Sequence, residues 1–157
     1  MNQTLATSSI ATAPRIAVVR SAWHPDLVGI ACQALLTELE RLEHPPSAVD
    51  CFEVPGAFEI PLLAQRLARG GRHHAIVAIG LVVDGGIYRH DFVAGAVIDG
   101  LMRVQLESGV PVFSCVLTPQ AFHEHADHQA FFAAHLAKKG AEAARACLRT
   151  LSLALPV

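Results

Sequence analysis

Apolar positions along the chain change rhythm in a regular alternation. The run Arg15-Ile-Ala-Val-Val-Arg20 has the length of a strand, and over 26–42 the positions Leu27, Ala31, Leu35, Leu39 and Leu42 recur at helical spacing. Pro25 stands where a first helical turn begins, and Pro45-Pro46 closes the segment. A second strand is predicted over 49–54. A helix carrying Phe58, Leu62, Leu63 and Leu67 follows over 56–69, stopped by Gly70-Gly71. The uninterrupted apolar run over 75–83 has the signature of a strand covered on both faces. A helix over 92–107, a strand over 110–117 and a closing helix over 139–153 complete the series.

Strand and helix thus alternate throughout. That order predicts an α/β fold, a three-layer sandwich in which a four-stranded parallel sheet is flanked by helices on both faces, with flavodoxin-like strand order. The Ser/Thr/Ala-rich stretch 1–13 reads as a flexible N-terminal arm, and 14–157 as one α/β domain. In such a sheet, ligands bind at the carboxyl ends of the strands where strand order reverses. Candidate chemistry is therefore sought in the segments following strands: Ser21-Ala-Trp-His24, Pro55-Gly-Ala-Phe-Glu59, Asp84-Gly-Gly-Ile-Tyr-Arg-His-Asp91, and the residues from Thr118 onward.

Composition adds a quaternary expectation. Hydrophobic residues make up 52% of 157 and charged residues only 17%, well below the usual quarter, so disorder is excluded. A chain of this size buries only about 68–70% of its unfolded surface, so much apolar content in one compact body points to an oligomer. Net charge is −2 and the only lysines are Lys138 and Lys139, which disfavours nucleic acid and anionic membranes as partners. No apolar run approaches a membrane span and 1–13 lacks a secretory pattern, so the expected location is the cytoplasm. Cys32, Cys51, Cys115 and Cys147 are far apart with no C-x-x-C, and are expected as buried free thiols.

Each loop carries a chemical suggestion. Trp23, the only tryptophan, follows the first strand, where a flat ring can stack on a planar heterocycle or serve as a core aromatic. The turn at Pro55-Gly56 opens a helix whose free N–H groups, with the Glu59 carboxylate, suit a polyol chain, although taken alone a plain turn with an acidic first-turn residue is the better reading. In 84–91 two glycines allow backbone N–H groups to approach an anion, Arg89 can pair with phosphate and His90 offers an imidazole, the side chain suited to giving and taking protons. Neither G-x-G-x-x-G nor a Walker A pattern is present, so a dinucleotide or nucleoside triphosphate is not supported.

Five of nine histidines fall between His90 and His135. His123-Glu-His125-Ala-Asp127-His128 resembles the metal motif of metallo-β-lactamases, but only His135 and no aspartate follow it, so no metal site is expected. A helix would instead place His125 and His128 at i and i+3, where an imidazole can meet an anion at the site mouth.

Taken together, VPGAFEIP at 54–61, IVAIGLVVDGGIYRHDFV at 76–93, PVFSCVLTP at 111–119 and KGAEAA at 139–144 resemble lumazine synthase, and in detail its type II branch. The resemblance implies condensation of 5-amino-6-(D-ribitylamino)uracil with 3,4-dihydroxy-2-butanone 4-phosphate to 6,7-dimethyl-8-ribityllumazine, the penultimate step of riboflavin biosynthesis, without cofactor or metal. It implies a homo-oligomer built of pentamers, in this branch a decamer; flavin is carried separately as a candidate further ligand. By position, Trp23 would stack on the pyrimidinedione, Ala57, Phe58 and Glu59 would hold the ribityl chain, and Leu81, Val82 and Val83 would line the heterocycle. Gly85, Gly86 and Ile87 correspond to the phosphate loop, and Lys139 to the lysine of the last motif. Ser114 and His128 correspond to residues reaching the site from a neighbouring subunit.

Three departures accompany the match. The proton-transferring histidine of the family aligns with Arg89, with His90 one place later; the loop threonine is Ile87; and the phosphate-gripping arginine is His128. Arg89 and His90 are both carried as catalytic candidates, although a guanidinium stays protonated and cannot act as a base. A non-catalytic flavin or lumazine binder is the alternative in another class. An electron carrier of the flavodoxin kind is disfavoured because 21–25 lacks a Ser/Thr/Gly-rich phosphate cradle. The Ala-rich faces over 94–101 and 141–151 are expected to pack against neighbouring subunits.

Overall fold

The computed structural model describes residues 12–123 and 125–153. The arm expected over 1–13 lies, through residue 11, outside the described residues. Four strands, β1 (Ile16–Ser21), β2 (Val49–Val54), β3 (Ala75–Leu81) and β4 (Val112–Leu117), form one all-parallel sheet in the order β2-β1-β3-β4. The helices are α1 (Pro25–Arg41), α2 (Ile60–Arg69), α3 (His90–Ser108) and α4 (Ala126–Ser152). The three-layer architecture and the flavodoxin-like order follow the sequence pattern.

The two central strands explain their own composition. Every residue of β3 is buried, as are Ile16 to Val19 of β1, because helices cover both faces. Ile16, Val18, Val77 and Ile79 face α1 and α4 and meet Leu27, Leu35, Leu136 and Cys147. Ala17, Val19, Ile76 and Ala78 face α2 and α3 and meet Ile60, Ala64, Val97 and Leu101. Each fully buried Leu or Ile contributes about 1.5–3 kcal/mol.

α1 and α4 pack tightly because one position lacks a side chain. A Cβ on Gly140 would overlap the Ala31 carbonyl oxygen and lie 3.0 Å from its carbon. The same seam is pinned by Glu38, which accepts from Arg41 and from Arg145 across the seam, the latter at 2.8 Å. The Arg41 hydrogen bonds, with those of Arg145, hold the Glu38 carboxyl down at about 2. At the opposite end of the sheet from the strand carboxyl ends, Asp50 gathers Arg15 (2.6 and 3.1 Å) and His73 (2.8 Å), chiefly Arg15 holding its carboxyl at about 2.

Several expectations need correction. α4 begins thirteen residues before the expected 139, because the stripe Phe132, Leu136, Gly140, Ala143, Cys147 continues upstream while the histidine-rich first turns keep mostly to solvent. The helix expected over 56–69 divides into a 3-10 turn, Ala57–Glu59, and α2. β3 ends at Leu81, leaving Val82 and Val83 beyond the strand, and β4 starts at Val112. α3 begins two residues early, so His90 is its first helical residue and Arg89 its N-cap. All four cysteines are free, but Cys51 is exposed, since edge strand β2 is only partly roofed by α1. Burial pushes the Cys115 and Cys147 thiols up to about 11 and about 12. Ala94, Val97 and Leu101, like Ala143, Ala144 and Cys147, are buried within this chain; the apolar residues α3 turns outward are Phe92, Ile98, Met102 and Leu106.

Candidate active site

The switch point lies between β1 and β3, whose chains continue to opposite sides of the sheet. A cavity of about 280 Å³ opens there, lined by Trp23, His24, Leu81, Val82, Val83, Gly85, Ile87, Tyr88, Arg89, His90 and Val93. Eight of the sequence-derived candidates therefore meet at one place.

Trp23 is placed by its backbone and by a missing side chain. Its N–H donates to the buried Ser21 hydroxyl at 3.0 Å, and its indole lies against Gly56, where a Cβ would come 2.5 Å from Cζ2 and 2.8 Å from Nε1. The indole remains 41% exposed, leaving ring surface for a ligand. Next to it His24 adopts the left-handed conformation (φ 50°, ψ 57°) although a residue before proline is normally extended, and its carbonyl accepts the Val28 N–H at 3.0 Å, starting α1. Its ring lies 5.8 Å from that of Phe122. Sequence reasoning passed over His24, Tyr88, Val93 and Phe122; the adjacency of His24 to Trp23 was the one signal available for it.

In the loop after β3, Gly86 takes φ 79°, a conformation glycine adopts freely, and donates its N–H to Asp84 Oδ1 at 2.8 Å. One of the loop N–H groups expected to face an anion is thus already engaged by a carboxylate. Gly86 is not among the cavity-lining residues, and the Ile87 and Tyr88 side chains are largely exposed. Arg89 turns to Asp91 at 3.0 Å and stacks on the Phe92 ring, 4.1 Å from its centroid. His90 lies deeper, its side chain 25% exposed and its Nδ1 3.9 Å from Asp84 Oδ1.

The other candidates do not join this cavity within one chain. Ala57 is buried and does not line the cavity, while Phe58 and Glu59 are exposed on the same turn. As the first residues of that turn, Ala57 and Phe58 have N–H groups with no acceptor inside it. Ser114, exposed on edge strand β4, and Lys139 line a separate cavity of about 230 Å³ with Phe113, Cys115 and Glu142. Lys139 donates to Glu142 at 2.7 Å, which holds the Glu142 carboxyl below its ordinary range. His128 accepts the His123 N–H on its Nδ1 at 3.1 Å and packs against Phe132. Among the described residues no group of three or more His, Cys, Asp or Glu is arranged to hold a metal ion, and no helix is long and apolar enough to cross a membrane.

An open parallel sheet with a crevice at its switch point, walled by an aromatic ring, an apolar strand end and a histidine, has the architecture in which α/β proteins place a small-molecule site. Residues 13–154 match the family described as 6,7-dimethyl-8-ribityllumazine synthase, and the chain belongs to that family. It is 64% identical over 132 residues to 6,7-dimethyl-8-ribityllumazine synthase of Rhodococcus erythropolis, covering 84% of this chain and 85% of that one. It is 58% identical over 139 residues to 6,7-dimethyl-8-ribityllumazine synthase 2 of Bradyrhizobium diazoefficiens (87% and 82% covered). With the protein of the same name from Pseudomonas syringae pv. tomato it shares 51% over 138 residues (88% and 81% covered).

Proposed function

We propose that this protein condenses 5-amino-6-(D-ribitylamino)uracil with 3,4-dihydroxy-2-butanone 4-phosphate, releasing 6,7-dimethyl-8-ribityllumazine, phosphate and two waters in riboflavin biosynthesis. The observation that carries this reading is the switch-point cavity, which brings an exposed indole and the apolar end of β3 together with Gly85 and His90. The pyrimidinedione stacks on Trp23 beside Leu81, Val82 and Val83, and the ribityl hydroxyls reach the free N–H groups of Ala57 and Phe58 and the Glu59 carboxylate. Phosphate sits at the Gly85-Gly86-Ile87 loop near Arg89.

The 5-amino group attacks the ketone and water leaves, giving a Schiff base. Removal of the proton from the adjacent carbon expels phosphate and leaves an enol, which becomes a ketone as its terminal carbon takes up a proton. The ribitylamino nitrogen closes the ring on that ketone, losing the second water. Every step is redox-neutral and needs only proton transfers and alignment, so no cofactor is required. Alignment of two substrates can supply much of the acceleration, and proton transfer about 10²–10⁴-fold.

In this reading Ser114, His128 and Lys139 serve the cavity of a neighbouring copy. Their separation from Trp23 within one chain and the outward apolar residues of α3 support it. On the family resemblance the assembly is built of pentamers paired into decamers; in the same reading the location is the cytoplasm, 14–157 is the folding unit and flavin is a further ligand. The test is to mix the protein with both substrates and follow lumazine absorbance and fluorescence. Product above the spontaneous reaction supports the synthase; tight flavin binding without product means a non-catalytic binder.

A further inference from the structure

We propose that Asp84 is a positioning residue that makes His90, and not Arg89, the proton-transferring group of this site. The inference rests on the synthase reading above. Arg89 occupies the N-cap of α3, where its guanidinium is committed to Asp91 at 3.0 Å and to the face of Phe92. It is largely exposed, and a guanidinium does not serve as a base. His90, one residue on, enters the cavity wall as the first helical residue.

What faces the His90 ring decides which nitrogen is available. Asp84 Oδ1 lies 3.9 Å from Nδ1, longer than a hydrogen bond and within ion-pair reach. The same oxygen is anchored by the Gly86 N–H at 2.8 Å, so the carboxylate is held in place by the loop itself. A carboxylate offers about four lone-pair sites, enough for Gly86 and His90 together. Catalytic hydrogen bonds in enzymes are often long without substrate and tighten in the substrate complex, so this separation is compatible with the role. Asp91, the other carboxylate nearby, is taken by Arg89.

An Nδ1–H turned towards Asp84 leaves Nε2 as the free basic nitrogen. Nε2 takes the proton from the carbon next to the Schiff base as the carbon–oxygen bond to phosphate breaks. The imidazolium then returns that proton to the terminal carbon of the enol. Asp84 stabilises the transient cation without itself taking up a proton.

A double-mutant cycle in the full chain tests the assignment. Asp84→Asn keeps an oxygen for the Gly86 N–H and removes only the charge; His90→Gln removes the base. Expected are kcat losses of about 10²-fold for His90→Gln and about tenfold for Asp84→Asn. The double variant should match His90→Gln within about twofold, with KM for both substrates nearly unchanged throughout. The proposal is overturned if His90→Gln leaves kcat intact, or if Asp84→Asn costs the same factor with and without His90. It is also overturned if Asp84→Asn raises KM for the butanone phosphate at constant kcat, which would make Asp84 part of the anion loop only. A parent chain that forms no product above the spontaneous rate overturns the synthase reading, a result separate from any pattern among variants of an active parent.

Discussion

Replacing Gly56 by alanine adds one methyl group at the point where the indole of Trp23 rests. Gly56 has φ −145° and ψ 175°, extended backbone that alanine adopts without cost, so the effect comes entirely from the contact. The new Cβ would stand 2.5 Å from Cζ2 and 2.8 Å from Nε1, against an ordinary separation of about 3.5–4.0 Å, so the ring must shift by about 1 Å. Overpacking inside a core costs about 1–3 kcal/mol. Here the indole is 41% exposed and can swing outward, which holds the stability cost near about 1 kcal/mol and transfers the damage to ligand stacking. An aromatic stacking contact is worth about 0.5–1.5 kcal/mol, so KM for the ribitylaminouracil should rise about two- to twelvefold while KM for the phosphate substrate stays put. Trp23 is the only tryptophan, so its emission reports the movement directly, with a red shift expected as the ring becomes wetter. Unchanged emission together with an unchanged KM would refute the placement of the indole on Gly56 and its role as the stacking wall.

Three further outcomes are expected. Arg89→Ala should raise KM for the butanone phosphate about tenfold with little change in kcat, since an exposed guanidinium contributes binding and no proton transfer; a large fall in kcat alone in steady-state assays would contradict this. Gly140→Ala should drive α4 off the backbone of α1, costing about 3 kcal/mol and lowering Tm by about 6–12 °C, read by calorimetry. Glu38 and Asp50 carboxyls sit at about 2 in the fold against ordinary values of 4.5 and 3.8, so the unfolded chain binds more protons below pH 4.5 and stability is lost progressively towards pH 2. Thermal melts of Glu38→Gln should therefore fall below the parent above pH 4.5 and converge with it near pH 2; a difference independent of pH would show that Arg41 and Arg145 do not act through that charge.

What was legible in the sequence follows from how each signal is generated. The strands of the centre were readable because burial on both faces leaves an unbroken apolar run, as in Ala75–Leu81, and no helix of that length competes. The first half of α4 was hidden, because its stripe passes through Phe132 and Leu136 while His125, Asp127 and Gln129 dominate the composition and face solvent. The Trp23 side of the site was legible since its members follow strands directly, at positions the topology selects. Gly56 as a seat for Trp23 was not, because nothing local marks a contact between residues 33 positions apart. Nor was the engagement of the Gly86 N–H by Asp84, a short-range competition between a side chain and an incoming anion that only geometry reveals.

The shift of histidine by one position need not move the chemistry, and the local backbone explains why. Arg89 is the N-cap of α3, in extended conformation (φ −77°, ψ 91°), so its side chain leaves the helix axis and finds Asp91 and Phe92 at the surface. His90, with the first helical dihedrals, turns about 100° around the axis from where its neighbour would point and enters the cavity wall. The N-cap residue and the first helical residue both line the cavity, but only the latter is set by the first turn of a 19-residue helix and has Asp84 beside it. On the reading proposed above, the exchange is then a redistribution of two tasks. The cation that meets phosphate moves to the exposed N-cap position, and the group that must be aligned to within a fraction of an ångström moves onto the helix.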